Sequence, residues 1–309
     1  MKLSYQSRIA ASAFLMLLVI MLIMSALWFP RTDRTVKVMD LLFVIDITQS
    51  MDVTDVEING EPATRLEWAK EYTKRTLQSL PCGSHVGLAA FSESRSLILI
   101  NPVEICSSYN DLTQMLSKLD GSIAWALSSE LSKAVFGAID QAKLMDPIPD
   151  VVFLTDGHEA PPLHATLFPK YKKKLDKVSG VLVGVGGDTL LPIPKHNFDG
   201  TADGFWKQNE VLHEDVYASL RNESQEVRDA KPKNEHLSSQ KKSHLENLAS
   251  MLNFDYIASP TKAKTVINAL QDKVKTRDQV VNYDWAPWFA AIALFILVLL
   301  YLPFRLIRD

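Results

Sequence analysis

Residues 38–46 read Val-Met-Asp-Leu-Leu-Phe-Val-Ile-Asp, a nearly continuous apolar run that ends in a carboxylate. Such a run is typical of a strand that is buried on both faces of a parallel sheet. Two similar runs follow, Asp-Val-Val-Phe-Leu-Thr at residues 150–155 and Gly-Val-Leu-Val-Gly-Val at residues 180–185. The first run therefore indicates a central strand of an α/β sheet.

Helical patterns alternate with these runs. Apolar residues recur at helical spacing in residues 64–80, 110–119, 129–144, 168–178, 239–252 and 260–274, and Thr64 with Glu67 forms a capping box. Residues 85–91 and 94–100 read as a hairpin, and residues 254–257 as a short strand. The alternation predicts right-handed crossovers and a doubly wound, mainly parallel α/β sheet with helices on both faces. A polar insertion at about 187–237 interrupts it, with a small hairpin expected at 205–213.

Two long stretches lack any charged residue, residues 9–29 and 285–304 of the 309. Each is long enough to span a bilayer as a helix, and Trp285, Trp288 and Tyr301 rim the second. We predict two transmembrane helices, the first a signal anchor, with a cleaved signal peptide as the alternative. Basic residues precede the first stretch and follow the second, which favours both ends in the cytoplasm and the middle outside.

The remaining composition excludes some classes of protein. The chain has 33 Lys+Arg against 36 Asp+Glu, and its tails are basic, so the middle is acidic and unsuited to general nucleic-acid binding. The two cysteines, Cys82 and Cys106, either pair in an oxidising compartment or remain free thiols. There is no Cys-x-x-Cys motif and no Cys/His cluster, which argues against a zinc site.

Oxygen-bearing side chains follow two of the predicted strands. Asp46, Thr48 and Ser50 alternate directly after the first strand, and Asp156 follows residues 150–155. Ligands bind at the carboxyl ends of the strands in such sheets, and oxygen ligands suit a hard cation such as Mg²⁺. The alternative is that these are ordinary turn and N-cap residues. Because the two loops are expected at the same edge of the sheet, a shared metal site is the favoured interpretation.

Here the sequence resembles the von Willebrand factor A (vWA) domain family, whose metal-ion-dependent adhesion site reads Asp-x-Ser-x-Ser, then a distant Thr, then an Asp in a Thr-Asp-Gly-like turn. The resemblance covers residues 38–275. It implies that Asp46, Thr48, Ser50 and Asp156 are metal ligands and places Ser129 at the family's threonine, with Ser128 and Ser122 as alternatives. It further implies bound Mg²⁺, with Ca²⁺ or Mn²⁺ as substitutes, and a protein partner that supplies a carboxylate to the metal.

The flanking apolar runs resemble those of membrane-anchored bacterial vWA proteins of the aerotolerance-operon and methanol-oxidation types. This resemblance implies the inner membrane, a periplasmic vWA domain, and a role in assembling a periplasmic enzyme such as a methanol dehydrogenase. The implied partners are that dehydrogenase, other vWA proteins and a MoxR-type ATPase system. No nucleophile–base pair is visible, so we expect no enzymatic activity. The alternatives are a calcium-delivery chaperone and a metal-assisted phosphohydrolase.

Two further groups of polar residues flank the predicted metal loops. His158, Glu159 and His164 are assigned to a solvated loop, with contact to an ion or partner as the alternative. Asp52, Asp55 and Glu57 form either an acidic rim near the site or a solvated loop.

Overall fold

The structure is a computed structural model that describes residues 5–28, 31–121, 124, 128–163, 168–175, 178–197, 200–214, 233–259, 268 and 276–301. The chain divides into two compact units. One unit contains Val38–Arg277, and the other combines the two ends of the chain, Met1–Lys37 and Asp278–Asp309.

The described helices are α1 (Tyr5–Trp28), α2 (Arg65–Ser79), α3 (Ile105–Lys118), α4 (Leu131–Ala142), α5 (Lys242–Leu252) and α6 (Ala286–Tyr301). The described strands are β1 (Arg31–Val38), β2 (Asp40–Asp46), β3 (Thr54–Ile58), β4 (Glu61–Thr64), β5 (His85–Ser92), β6 (Arg95–Glu104), β7 (Asp150–Thr155), β8 (Gly180–Gly184), β9 (Leu191–Pro192), β10 (Pro194–His196), β11 (Ala202–Phe205), β12 (Leu237–Ser238), β13 (Asp255–Ala258) and β14 (Arg277–Asp284).

A six-stranded sheet organises the larger unit, in the order β13-β8-β7-β2-β5-β6. All neighbours in it are parallel except β5 and β6, which form the predicted antiparallel hairpin. The prediction of a mainly parallel α/β sheet is therefore confirmed. The register pairs Ile45 with Leu154, so β2 and β7 end side by side at the edge where the metal site was expected.

The core lies on both faces of this sheet, as the uninterrupted apolar run of β2 requires. Leu41, Phe43 and Ile45 point to one face and pack with residues of α2 and α3. Leu42 and Val44 point to the other face and pack with residues of α4 and α5. Helices on both faces are thus confirmed.

Some predicted elements are wrong. Residues 168–175 contain no helix, although Tyr171 and Leu175 still pack against the core. The hairpin expected at 205–213 is replaced by β11 pairing with β10, followed by a short 3₁₀ helix, Gln208–Glu210. β9 pairs with β12, so both ends of the insertion are ordered. The helix predicted at 260–274 lies outside the described residues except for residue 268, which is helical.

In the smaller unit, α1 packs against α6 and β1 pairs with β14. The Trp285 indole donates a hydrogen bond of 2.8 Å to the Thr32 hydroxyl, and the Arg34 guanidinium lies 5.0 Å from the Tyr283 ring centroid. Among the residues that the structure describes, no helix combines the length and the apolar character that crossing a bilayer requires.

The two cysteines are joined. Cys82 and Cys106 form a disulfide whose Cα atoms are 5.3 Å apart, which ties the turn before β5 to the start of α3. Of the two states left open by the sequence, the structure has the oxidised one.

Candidate metal centre

Asp46 is the centre of a compact cluster of oxygen atoms at the end of β2. Its Oδ1 accepts hydrogen bonds from the Thr48 amide at 2.9 Å and the Thr48 hydroxyl at 2.7 Å. The Thr48 hydroxyl oxygen also lies 3.2 Å from the Ser50 hydroxyl oxygen. The structure therefore brings together the three side chains that the sequence grouped as Asp46, Thr48 and Ser50.

The neighbouring strand contributes a fourth side chain. The Thr155 hydroxyl, at the end of β7, donates a hydrogen bond of 2.6 Å to Oδ2 of Asp46. Thr155 is the last residue of the strand predicted at residues 150–155, and the sequence pattern indicated no role for its side chain. Its position follows from the register, because strand β7 ends directly beside β2.

Asp46 is fully buried. Burial and the nearby Asp156 carboxylate raise the pKa of Asp46 to about 7, although hydrogen bonds from Thr155 and Thr48 act to lower it. A negative charge that is buried and repelled by another is costly unless a cation compensates it. The metal-free site therefore has a deficit of positive charge at Asp46.

Asp156 already has a cationic partner. Its Oδ2 accepts hydrogen bonds from Arg65 at 2.7 Å and the Ser238 hydroxyl at 2.8 Å, and its Oδ1 accepts one from the His158 amide at 2.9 Å. Burial acts to raise the pKa of Asp156, but the Arg65 guanidinium and these donors bring it below its ordinary value. Asp156 is therefore ionised, and Oδ1 accepts a single hydrogen bond.

Arg65 is the residue that sequence reasoning missed. Its side chain is fully buried and binds Asp55 through Nε at 2.9 Å and Nη2 at 2.7 Å, in addition to Asp156. Gly186 has φ +104 and lies so close that a Cβ there would be 2.5 Å from Nε of Arg65. A basic residue in the first turn of a helix usually faces water, so the sequence gave no signal of this contact.

The predicted acidic rim is accordingly wrong for Asp55, which is the ion-pair partner of Arg65 and also accepts a hydrogen bond from the Gly187 amide at 2.9 Å. Oδ2 of Asp52 lies 3.4 Å from Nδ1 of His196, and burial raises the pKa of Asp52 to about 6. Glu57 alone of the three is exposed.

Ser129 is held by two backbone hydrogen bonds with Ala160, of 2.7 and 2.8 Å. Its hydroxyl donates a hydrogen bond of 2.9 Å to the His158 carbonyl, which leaves the lone pairs of the hydroxyl oxygen available. Ser128 and Ser129 both line a cavity that is also lined by Thr48 and Ser50. Ser122 lies outside the described residues. This placement agrees with the prediction for Ser129 without excluding Ser128.

His158 and Glu159 are buried, so their assignment to a solvated loop is wrong. Oε1 of Glu159 accepts hydrogen bonds from the amide and hydroxyl of Ser132 at 2.9 and 2.7 Å, which caps the start of α4. Burial lowers the pKa of His158, whose Nδ1 is enclosed without a hydrogen-bond partner. His164 lies outside the described residues.

The donor set suits a hard divalent cation. Asp46, Thr48 and Ser50 offer one carboxylate and two hydroxyl oxygens, and Ser129 opens into the same cavity. Arg65 forms ion pairs with Asp55 and Asp156, whereas the hydrogen-bond donors to Asp46 among the described residues are Thr48 and Thr155, which carry no charge. Oxygen ligands that include a carboxylate without an ion-pair partner match Mg²⁺ better than a softer transition metal.

Residues 41–158 match the family model of the von Willebrand factor type A domain. The chain carries a vWA domain. Its structure is similar to an aerotolerance-related membrane protein of Bacteroides fragilis NCTC 9343, with 17% identity, a TM-score of 0.51, and coverage of 76% of this chain and 99% of that one. It is also similar to a conserved hypothetical protein, BatB, of Bacteroides thetaiotaomicron, with 15% identity, a TM-score of 0.51, and coverage of 76% and 98%.

These structural likenesses support the fold of the vWA domain. No curated protein sequence matches the chain significantly.

Proposed function

We propose that this protein is a membrane-anchored vWA module that binds Mg²⁺ at Asp46, Thr48, Ser50, Ser129 and Asp156 and uses the ion to recruit a protein partner. The observation that supports this most strongly is that the Thr48 hydroxyl lies within hydrogen-bond distance of both Asp46 and Ser50, and that Thr48 and Ser50 line a cavity. A cation held there supplies a positive charge with a vacant position that an anionic oxygen fills.

The residues of the chain prepare this site in two ways. The Thr48 hydroxyl donates a hydrogen bond to Asp46, so the lone pairs of the Thr48 oxygen point away from that bond and remain available to a cation. Arg65 neutralises part of the charge on Asp156 and fixes its orientation, so Asp46 is the carboxylate with the greatest need of a cation. Recruitment rather than catalysis is the proposed outcome, because no nucleophile–base pair lies among the described residues of the site.

We further propose that α1 and α6 are the membrane anchors. The two helices pack together, yet large apolar side chains on both point outward, including Phe14, Leu17, Leu27, Leu294 and Phe295. Such surfaces are unfavourable in water and suit lipid. The relative from Bacteroides fragilis is described as a membrane protein, which is consistent with this arrangement.

The disulfide supports a periplasmic position for the vWA domain. Both Cys82 and Cys106 are exposed to solvent, and exposed disulfides persist in oxidising compartments rather than in the cytosol. Protease treatment of spheroplasts tests this placement: we expect the vWA domain to be digested without lysis, and a domain protected until lysis would contradict it.

For the partner, we propose an acidic segment of an enzyme under assembly in the periplasm, such as a dehydrogenase, together with other vWA proteins and a MoxR-type ATPase. Support for the carboxylate comes from the site itself, since a partly coordinated divalent ion favours an anionic oxygen. The identity of the client rests on the sequence resemblance alone.

Calorimetric titration of the full chain in detergent with Mg²⁺ tests the proposal. We expect saturable binding to the wild type and none to Asp46→Asn, which removes the charge while preserving the shape. Asp111→Asn is the matched control, since Asp111 lies on the exposed side of α3. Equal binding to the wild type and Asp46→Asn, or no binding to the wild type, would overturn the metal site. A higher affinity for Ca²⁺ than for Mg²⁺ would favour the calcium-delivery alternative.

A further inference from the structure

The insertion after β8 covers the opening of the candidate metal centre. Its β11 strand leads to Trp206, whose indole donates a hydrogen bond of 2.6 Å to Oε1 of Gln49, the residue between Thr48 and Ser50. Trp206 also donates its backbone amide to the Ile193 carbonyl at 3.0 Å. Ile193 and Trp206 are therefore fixed beside the loop that carries the metal ligands.

The insertion is anchored at its far end as well. Ser238, in β12, donates to Asp156 at 2.8 Å, and its carbonyl accepts a hydrogen bond from Arg65 at 3.3 Å. The next residues continue this attachment, because the Lys241 amide donates to the Asp156 carbonyl at 2.8 Å. The insertion is thus built into the hydrogen-bond network of the site rather than appended to it.

Between the insertion and the metal loops lies a cavity of about 270 Å³. Its floor includes Thr48, Ser50 and Ser129, and one wall is apolar, formed by residues of the insertion and of the cis-proline turn: Pro161, Ile193, Trp206, Val211 and Leu212. Pockets for drug-sized ligands measure about 300–1,000 Å³, so this cavity is slightly smaller than that range and suits a short segment of a partner chain.

Two carboxylates, Glu210 and Glu235, also line the cavity. Glu210 accepts a hydrogen bond from Lys195 at 3.3 Å, and an oxygen of Glu235 lies 3.9 Å from Nε2 of His158. An anionic ligand that enters the cavity without a metal ion therefore meets the carboxylates of Glu210 and Glu235. Entry of a carboxylate into the cavity is therefore expected to depend on a bound metal ion.

We infer that this cavity recognises a two-residue feature of the partner, an acidic side chain on the metal and an adjacent apolar side chain against the wall made by Ile193, Trp206, Val211 and Leu212. This inference rests on the proposed function and adds the specificity that the insertion confers. The positive charge of the bound metal ion selects the acidic residue, and the apolar wall selects its neighbour. A partner with an isolated, purely polar acidic surface fits the site less well.

Three capped dipeptides test the inference on the full chain in detergent with saturating Mg²⁺: acetyl-Leu-Asp-amide, acetyl-Ser-Asp-amide and acetyl-Leu-Asn-amide. We expect the Leu-Asp probe to bind about tenfold more tightly than the Ser-Asp probe, because one more apolar side chain is buried. The Leu-Asn probe, which lacks the charge, is expected not to bind, and chelation of Mg²⁺ is expected to abolish binding of both acidic probes.

A variant of the wall separates specificity from folding. Leu212→Ser changes an exposed lining residue, and we expect the tenfold preference for Leu-Asp to fall to about twofold or less in this variant while Mg²⁺ still binds. Phe205→Ala is the matched control, since Phe205 is the exposed neighbour of Trp206 and does not line the cavity. It should keep the full preference.

The outcomes distinguish the two proposals. If Mg²⁺ binds and the acidic probes bind equally well, or if Leu212→Ser keeps the tenfold preference, the inference about the apolar wall is wrong and the metal site stands. If Leu-Asn binds as tightly as Leu-Asp, the cavity is a simple apolar pocket and the inference also fails. If Mg²⁺ itself does not bind to the wild type, the proposed function fails first.

Discussion

We expect Asp46→Asn to stabilise the metal-free protein at pH 8 and to remove its response to Mg²⁺. The buried carboxyl has a pKa of about 7 against an ordinary value of 3.8. At about 1.4 kcal/mol per pKa unit, this difference corresponds to about 4 kcal/mol of unfavourable free energy in the ionised folded state. Burying the amide of asparagine offsets part of this, so the expected net gain is about 1–3 kcal/mol.

The sign of the pH dependence follows from the direction of the shift. A carboxyl whose pKa is higher in the folded than in the unfolded state destabilises the fold as the pH rises from about 3.8 to about 7. The variant and the wild type should therefore differ little at pH 4 and most at pH 8. The hydrogen bond with Thr155 survives the change, because the Thr155 hydroxyl can accept from the new amide instead of donating to a carboxylate.

Urea unfolding of the full chain in detergent, followed by tryptophan fluorescence, measures both effects. With Mg²⁺ at about 100 times its dissociation constant, the wild type should gain about 2.7 kcal/mol and Asp46→Asn nothing. Asp111→Asn should behave as the wild type in each condition. The reasoning is refuted if metal-free Asp46→Asn is less stable than the wild type at pH 8, or if Mg²⁺ stabilises both proteins equally.

Three more predictions concern the metal site, the buried ion pairs of Arg65 and the disulfide. Because Asp46 must lose its proton to bind a cation and its pKa is about 7, Mg²⁺ affinity measured by calorimetry should be about tenfold weaker at pH 6 than at pH 8; a flat profile would mean that another group dominates. Arg65→Met should lower the free energy of unfolding by about 3–5 kcal/mol, since it leaves Asp55 and Asp156 buried without their cation, and a loss below 1 kcal/mol would show that water or another residue compensates them. Replacing both Cys82 and Cys106 by serine should lower the free energy of unfolding in urea by about 2–4 kcal/mol, and no loss would indicate that the two cysteines are not joined in the protein.

The sheet and the core of the vWA domain were predictable because local pattern and global fold agree there. Residues 40–46 alternate between two buried faces, and an apolar run without polar interruptions fits only a strand covered on both sides. The meeting of Asp46 with the loop of Asp156 was predictable for the same reason, because parallel strands end at a common edge.

The charge network of the site was not predictable from the sequence. Arg65 and Asp156 are 91 positions apart, and Ser238 lies 82 positions beyond Asp156. Both contacts depend on how α2 and the insertion pack over the strand ends. No local pattern separates a buried arginine from an exposed one, so this part of the site required the structure.

The segment at 168–175 shows how tertiary contacts override periodicity. Its apolar residues have helical spacing, but Pro169 disfavours a helical conformation at Phe168. The Tyr171 hydroxyl donates to Asp140 at 2.8 Å, and the Lys143 ammonium donates to the Lys174 carbonyl. These contacts with α4 hold the segment in a non-helical path while Tyr171 and Leu175 still bury their side chains.

The central claim is that Asp46, Thr48, Ser50 and Asp156 surround one divalent ion. A crystal structure of the protein with Mn²⁺ in place of Mg²⁺, phased to show the anomalous signal of the metal, tests it directly. We predict a single peak about 2.0–2.3 Å from oxygens of Asp46, Thr48 and Ser50, with Asp156 in its immediate surroundings. A map without a peak at the end of β2, or with the peak on other residues, would contradict the account.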